Sequence, residues 1–280
     1  MNEKKCKVLA AEIRLETLKV IHSRGFGHVG GSMDLADLMA VLYGEVMKFD
    51  PKNPRWEDRD WLVLSKGHAG PVAYATFGLM GYYPMEEAYT LNHPHTKFPS
   101  HTDRKLTPGV DLTTGSLGQG VSAAVGMALA GKMDGKNYRV YTILGDGEIE
   151  EGQTWEAAMS AAKYKLDNLC AIVDVNGLQI DGKTADVMPS EPLDKKYEAF
   201  GWHVIKIDGH DFDQIESAVQ AFHAETEKPT CIILDTVKGT GVSYMTNSVA
   251  WHGKGPNDEE YQVAMNELNA AYAALEQEEN

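Results

Sequence analysis

Two polar side chains that could share a metal ion follow two consecutive predicted strands. Asp146 stands between two glycines directly after the apolar run 140–144, and Asn176 precedes a glycine directly after the apolar run 169–175. One predicted helix joins the two strands. In a right-handed crossover the strands are parallel, and their carboxyl ends meet at one edge of the sheet, where open α/β sheets bind ligands. The spacing therefore predicts two oxygen ligands that converge at one edge.

Magnesium is the cation that these ligands favour. Mg²⁺ takes about six oxygens, of which the protein usually supplies only a few while phosphates and water supply the rest. Asp146, Asn176 and a backbone carbonyl such as that of Leu178 would leave positions for a diphosphate, and Gly147 would allow that group to approach the backbone closely. Either Asp-Gly or Asn-Gly alone favours a simple turn. Both together, one crossover apart, favour the metal site.

Four histidines lie in predicted loops beside glycine or other small residues: His28, His68, His101 and His252. A single loop histidine is usually only solvated. Four of them around one pocket could contact a diphosphate, bind sugar hydroxyls and move protons, because a neutral imidazole both donates and accepts. The other six histidines are predicted to be structural or on the surface.

The run 25–30 (GFGHVG) fits the dinucleotide pattern G-x-G-x-x-G. That pattern needs a strand leading into the glycines, whereas the residues before it have the period of a helix. A dinucleotide site is therefore disfavoured.

The elements that must position these residues alternate between helix and strand. Apolar strands in such an alternation predict an α/β fold, a parallel sheet flanked by helices on both faces. We expect one cofactor-binding domain over 1–256 and an acidic C-terminal helix or tail over 257–280. Helices are predicted over 8–24, 33–46, 121–130, 154–164 and 212–223, and strands over 61–64, 139–144, 168–175, 202–207 and 229–237.

Composition excludes several classes of function. A net charge of −15, from 26 basic and 41 acidic side chains, disfavours a nucleic-acid partner, which needs a clustered basic surface. No apolar run approaches the roughly 20 residues of a membrane helix, so no membrane partner is expected. Three widely spaced cysteines predict buried free thiols and a cytoplasmic protein.

Several motifs together resemble the thiamine diphosphate motif of transketolases. The main match comprises 145–152 (GDGEIEEG) and 176–182 (NGLQIDG). Three further stretches agree with it: 23–37 (SRGFGHVGGSMDLAD), 65–69 (SKGHA) and 108–120 (PGVDLTTGSLGQG). The resemblance extends from about residue 10 to about residue 256 and implies the thiamine diphosphate-binding fold.

The resemblance also implies roles for individual residues. Asp146, Asn176 and the Leu178 carbonyl would bind Mg²⁺, for which Ca²⁺ or Mn²⁺ could substitute. The catalytic residues, facing the reacting carbon and the sugar hydroxyls, would be His28, His68, His101 and His252. The residues around thiamine diphosphate would be His68, Gly115, Ser116, Leu117, Gly147, Glu148, Glu151, Asn176 and His252, with Glu151 also at a subunit interface.

Two short departures from the family pattern affect histidine loops. Family members usually have Gly-His-Pro where this chain has Ser100-His101-Thr102, so the residues on both sides of His101 depart from the family pattern. Val29 follows His28 where proline is common, which changes the stiffness of the loop and not the imidazole chemistry.

The length of the chain is a larger departure. A full transketolase continues through a pyrimidine-binding domain and a C-terminal domain, which carry the glutamate for the aminopyrimidine ring and the arginines for the substrate phosphate. The resemblance therefore implies a C-terminal-half transketolase subunit as partner, in an α2β2 heterotetramer. The complex would transfer a two-carbon ketol unit from a ketose phosphate to an aldose phosphate, an activity of the pentose phosphate pathway.

Two alternatives stay open. The chain could be the α subunit of another thiamine diphosphate enzyme, such as a 2-oxo-acid dehydrogenase or a deoxyxylulose phosphate synthase-like enzyme. It could also be a non-catalytic cofactor-binding subunit, although intact metal ligands and four loop histidines disfavour that.

Overall fold

A computed structural model describes residues 2–277 of the chain. The strands are β1 Trp61–Leu64, β2 Val140–Gly145, β3 Leu169–Val175, β4 Leu178–Gln179, β5 Gly182–Lys183, β6 His203–Asp208 and β7 Thr230–Asp235. The main sheet has five of them, all parallel, in the order β1-β2-β3-β7-β6. A short antiparallel pair, β4 and β5, follows β3. The predicted fold class is therefore confirmed.

Helices cover both faces of the sheet. One face packs against α1 (Glu3–His22), α3 (Ala36–Val41), α4 (Gly70–Leu79) and α10 (Phe212–Ala224). The opposite face packs against α6 (Gln119–Met133), α7 (Gly152–Lys163) and α9 (Leu193–Ala199). Three further α-helices are short: α2 Gly30–Met33, α5 Met85–Ala88 and α8 Thr184–Val187.

The strands are apolar on both sides because both faces of the sheet are covered. In β3, Cys170 and Ile172 contact one layer of helices, while Ala171 and Val173 contact the other. Burial of each large aliphatic side chain contributes about 1.5–3 kcal/mol. This two-sided core fixes the sheet whose edge carries the candidate site.

The register of β2 and β3 decides where the candidate metal ligands lie. Val140 pairs with Leu169 at the start of the two strands, and Gly145 pairs with Asp174 at their end. Asp146 follows directly, so its loop and that of Asn176 are neighbours at the carboxyl edge. The crossover prediction is confirmed.

Two predicted helices differ from those observed. The helix predicted over 33–46 is wrong as one element, since it consists of α2, α3 and a π-helical turn, Leu42–Val46. The first helix begins at Glu3, earlier than predicted, because Asn2 caps it, its side chain accepting a 3.1 Å hydrogen bond from the Lys5 N–H. Helix α4 was not predicted, because it is apolar on all sides and lacks a helical period.

The C-terminal segment forms a helix, α11 (Asp258–Gln277), that packs on α1. Ala264 and Leu268 are buried in that contact. Helix α11 shares one hydrophobic core with the elements that precede it. The division into a domain and a C-terminal segment at residue 256 stays a prediction. Residues 278–280 of the predicted tail lie outside the described residues.

The three cysteines are free and buried, as predicted. None of the helices formed within residues 2–277 is long and apolar enough to cross a membrane.

Candidate active site

A cavity of about 380 Å³ opens at the carboxyl edge of the sheet. Thirteen residues were predicted for the site, and twelve of them line it; Ser116 does not, and is exposed. The predicted residues that line the cavity are His28, His68, His101, Gly115, Leu117, Asp146, Gly147, Glu148, Glu151, Asn176, Leu178 and His252.

Asp146 is buried, and both of its carboxylate oxygens accept hydrogen bonds. Oδ1 accepts from the N–H of Gly147 at 2.9 Å, while Oδ2 accepts from the N–H of Gly177 at 2.7 Å and from the Thr184 hydroxyl at 3.1 Å. Burial and the nearby Asp174 carboxylate raise the pKa of Asp146 to about 6. A cation beside this carboxylate would stabilise its charged form.

Asn176 and Leu178 complete the predicted ligand set on the adjacent loop. The Asn176 amide nitrogen donates to Asp34 Oδ2 at 2.9 Å and to Asp174 Oδ2 at 3.2 Å, and its oxygen accepts from the Leu178 N–H at 3.0 Å. The Leu178 carbonyl accepts a 3.1 Å hydrogen bond from the Lys238 ammonium. This carbonyl therefore already faces a positive charge.

Buried charged residues beneath these loops were missed by the sequence analysis. Lys66 forms an ion pair with Asp174 and donates a 3.0 Å hydrogen bond to the Gly31 carbonyl. Burial opposes its charge, but the Asp174 and Asp34 carboxylates raise the pKa of Lys66. Burial lowers the pKa of Lys238. Lys66 follows β1 and Lys238 follows β7, so the rule that located Asp146 could have found both.

The four predicted histidines line the cavity and lie close to one another. The centre of the His28 ring is 5.1 Å from that of His68, 5.7 Å from that of His101 and 5.5 Å from that of His252. The rings of His68 and His252 are also 5.5 Å apart. Loops far apart in sequence thus bring four imidazoles together.

Three of these imidazoles are held neutral at pH 7. Burial, with the positive Lys238 nearby, lowers the pKa of His28 and of His252 to about 4. Burial and Lys66 lower the pKa of His68 well below its ordinary value. A neutral imidazole has one nitrogen that donates and one that accepts. The group can therefore bind hydroxyls and take up protons.

Glu148 joins two loops of the site. Its carboxylate is buried and accepts hydrogen bonds from the Ser65 hydroxyl, from the N–H of Gly118 at 3.0 Å and from the N–H of Gly145 at 3.2 Å. Burial raises the pKa of Glu148. The side chain ties the turn 115–120 to the loop of Asp146.

The cavity fits a polar ligand with a metal ion. Nδ1 of His28, Nδ1 of His252 and Oε1 of Gln179 are buried, and none has a hydrogen-bond partner within residues 2–277. No three His, Cys, Asp or Glu side chains in the same range are grouped to hold a metal by themselves. A cation here would depend on the carboxylate, amide and carbonyl oxygens together with oxygens of a ligand, which is the set that Mg²⁺ prefers.

The glycine pattern at 25–30 does not form a dinucleotide site. It follows α1 and not a strand, and Phe26 forms an isolated antiparallel bridge with Lys254. This bridge holds the loop of His28 beside that of His252. The other six histidines lie outside the cavity lining: His22, His93, His95, His203, His210 and His223.

Comparison with known proteins places this geometry in a family. The family model described as "Transketolase, thiamine diphosphate binding domain" matches residues 5–274. The chain belongs to the transketolase family. The family resemblance of the sequence motifs is therefore confirmed, and a thiamine diphosphate-binding domain accounts for almost all of the chain.

Two family members of similar length are named as subunits. The 6-deoxy-6-sulfo-D-fructose transketolase subunit SqwG of Clostridium sp. is 52% identical over 256 residues, which is 91% of this chain and 93% of that protein. One of the subunits of the apulose-4-phosphate transketolase of Actinobacillus succinogenes is 38% identical over 266 residues, 95% of both chains.

Solved transketolases have the same fold over this region. The transketolase of Campylobacter jejuni superposes with a TM-score of 0.90 at 31% identity, over 98% of this chain and 46% of its own. The transketolase of Leishmania mexicana superposes with a TM-score of 0.85 at 30% identity, over 97% of this chain and 46% of its own. The chain therefore spans about half the length of these solved family members.

Proposed function

We propose that this chain is the diphosphate-binding subunit of a two-chain, thiamine diphosphate-dependent transketolase. One observation carries the proposal. One cavity is lined both by oxygen ligands for a metal, on Asp146, Asn176 and Leu178, and by four clustered imidazoles. A cofactor whose diphosphate binds a metal and whose reactive ring must meet a sugar needs both groups of residues.

The residues that would hold the cofactor lie on adjoining loops. Asp146, Asn176 and the Leu178 carbonyl would bind Mg²⁺, and the backbone at Gly147 would approach the diphosphate. The ammonium of Lys238, 3.1 Å from the Leu178 carbonyl, adds a positive charge that favours a diphosphate at this position. Bound thiamine diphosphate supplies the carbon nucleophile and the electron sink for cleavage of a carbon–carbon bond.

The histidines would move protons around the sugar. An unprotonated imidazole of His28 or His252 can take the proton of a donor hydroxyl, and the resulting imidazolium can return it to an acceptor oxygen. His68 and His101 would bind and orient hydroxyls. One well-placed group of this kind contributes roughly a hundredfold to ten-thousandfold in rate.

A second subunit would complete the active site. Two relatives that match almost end to end are themselves named as subunits, whereas the solved transketolases are about twice as long. We propose that the partner is a C-terminal-half transketolase subunit in an α2β2 assembly. Glu151, exposed at the rim of the cavity, would lie at the subunit interface. Three free cysteines suit a cytoplasmic complex.

The substrates would be a ketose and an aldose that carry a terminal anion. The names of the two subunit relatives refer to a sulfonated ketose and to a sugar phosphate. Both groups are tetrahedral anions on a carbon away from the reacting carbonyl. A substrate panel should therefore contain sulfo-sugars as well as sugar phosphates.

Reconstitution tests the proposal. The chain and a candidate C-terminal-half transketolase subunit are purified separately. Each is then assayed alone and in a mixture of the two, with Mg²⁺ and thiamine diphosphate. We expect ketol transfer from xylulose 5-phosphate or 6-deoxy-6-sulfofructose to an aldose phosphate only in the mixture. Turnover of pyruvate with an electron acceptor instead would favour the 2-oxo-acid dehydrogenase alternative. Cofactor binding without turnover would favour a non-catalytic subunit.

A further inference from the structure

The amide of Asn176 is held in one orientation by two buried carboxylates. Its nitrogen donates to Asp34 Oδ2 at 2.9 Å and to Asp174 Oδ2 at 3.2 Å. Both N–H bonds of the amide are thereby used, and both point away from the Leu178 N–H, which donates to the amide oxygen at 3.0 Å. The nitrogen of the Asn176 amide consequently faces two hydrogen-bond acceptors, whereas its oxygen faces a donor.

The orientation of this amide decides whether Asn176 can bind a cation. The two ends of an asparagine amide have almost the same shape, and their hydrogen-bond partners determine which end points where. Only the oxygen is a metal ligand. If the amide were reversed, its N–H groups would face the cation and the oxygen would face two carboxylates.

The carboxylates are themselves fixed by a buried network. Asp174 and Asp34 are each 0% exposed, and Lys66 is 1% exposed. Asp174 pairs with Lys66, which also donates to the Gly31 carbonyl, and the Thr236 hydroxyl donates to Oδ1 of Asp174. Oδ1 of Asp34 has no hydrogen-bond partner within residues 2–277. Oδ2 accepts the hydrogen bond from Asn176, and this bond links the Asp34 carboxylate to the site.

We infer that Asp34 and Asp174 are positioning residues that direct the Asn176 oxygen toward the metal. Neither aspartate lines the cavity, and the role inferred for both is to orient the Asn176 amide. The inference rests on the proposed function and adds to it the residues that make the ligand set competent. Partners of metal ligands in other proteins typically change metal affinity by 10–100-fold when replaced.

Two substitutions at Asp34 separate orientation from charge. Asp34→Asn removes the negative charge but keeps an oxygen that can accept from Asn176. Asp34→Leu has a similar size and keeps no acceptor. If orientation is the role, Asp34→Leu weakens metal binding by about 10–100-fold, and Asp34→Asn stays within about threefold of the unmodified complex. If charge alone mattered, both variants would weaken binding equally, which would overturn the inference.

The measurement is the dissociation constant of Mn²⁺ at saturating thiamine diphosphate, read from the electron paramagnetic resonance of free Mn²⁺. It uses the complex of the full chain with its partner subunit, and thermal unfolding confirms that each variant is folded. Asp37→Leu is the matched control, because Asp37 is also a buried aspartate of the same region and binds Arg14 and His210 instead. The folded fraction of the Asp37→Leu variant should bind Mn²⁺ as tightly as the unmodified complex does.

The outcomes also distinguish this inference from the proposed function. Unchanged Mn²⁺ affinity in folded Asp34→Leu, beside normal binding by the unmodified complex, overturns the inference and leaves the function standing. An unmodified complex that binds no Mn²⁺ with thiamine diphosphate overturns both.

Discussion

The carboxylate of Asp146 accepts a 2.7 Å hydrogen bond from the N–H of Gly177, which ties the loop after β2 to the loop after β3. Asn176 immediately precedes Gly177, so the two candidate metal ligands belong to one connected unit. Loss of a hydrogen bond to a buried carboxylate costs free energy. Neither loop can therefore move far without the other. A metal site shared by the two loops is consequently preorganised.

Replacement of His28 by Ala should reduce catalysis without removing the cofactor. His28 contacts the other imidazoles, whereas the predicted metal ligands lie on the loops after β2 and β3. We expect kcat to fall by roughly a hundredfold to ten-thousandfold, with the affinity for thiamine diphosphate within about threefold. Steady-state kinetics and calorimetry of the reconstituted complex would measure both. His95→Ala is the control, since His95 lies outside the cavity lining and should leave both quantities unchanged.

The rate should stay constant at mildly acidic pH. His28 and His252 have a pKa of about 4, and the neutral imidazole is the form that accepts a proton. Lys238 disfavours added positive charge on both rings, His101 does so at His28, and Lys66 does so at His252. We expect kcat/KM to be flat from about pH 8 to about pH 6 and to fall only as the pH approaches about 4 to 5. An acid limb centred near the ordinary histidine value of about 6.5 would contradict this expectation.

The stability of the chain should also depend on pH through His223. Burial lowers the pKa of this imidazole from 6.5 to about 4, while its Nε2 lies 2.8 Å from the Tyr141 hydroxyl. Between these values the unfolded chain binds more protons than the folded chain, so the free energy of unfolding decreases as the pH falls from 6.5 toward 4. Urea unfolding at several pH values measures this slope. His223→Gln should make it shallower, and an unchanged slope would exclude His223 as a source.

Gly67→Ala should destabilise the fold through a backbone clash. An added Cβ would lie 2.5 Å from Thr114 Oγ1 and 2.7 Å from the Gly115 nitrogen. Overpacking of this kind typically costs about 1–3 kcal/mol, and it would displace the turn that Glu148 holds. Gly126→Ala is the control, because Gly126 lies in α6 with nothing within 4 Å of the added atom, and helix propensity predicts a gain of about 0.5–1 kcal/mol. Chemical denaturation of both variants would show changes of opposite sign.

The sheet edge and its two ligands could be predicted from the sequence, whereas the pairing of residues within the buried network beneath them could not. Asp146 and Asn176 follow apolar runs joined by one helix, and a crossover of fixed handedness then dictates their position. Asp34 lies between short helices with no periodic signal. The charge of Asp174 inside the apolar run LCAIVDV is a signal that a buried partner exists, but it does not identify Lys66.

The grouping of the four histidines has a different origin. Each lies on a separate loop, and no local spacing relates His28 to His252. Their convergence depends on long-range contacts such as the bridge between Phe26 and Lys254, which only the folded chain provides. Family resemblance supplied what spacing could not.

The most direct test of the account is thiamine diphosphate binding by the reconstituted complex with Asp146→Ala, measured by calorimetry with and without Mg²⁺. We predict that the unmodified complex binds the cofactor far more tightly with Mg²⁺ than without it, and that the variant loses this difference while remaining folded. Equal, Mg²⁺-dependent affinity in the two complexes would contradict the assignment of Asp146 and, with it, the proposed site.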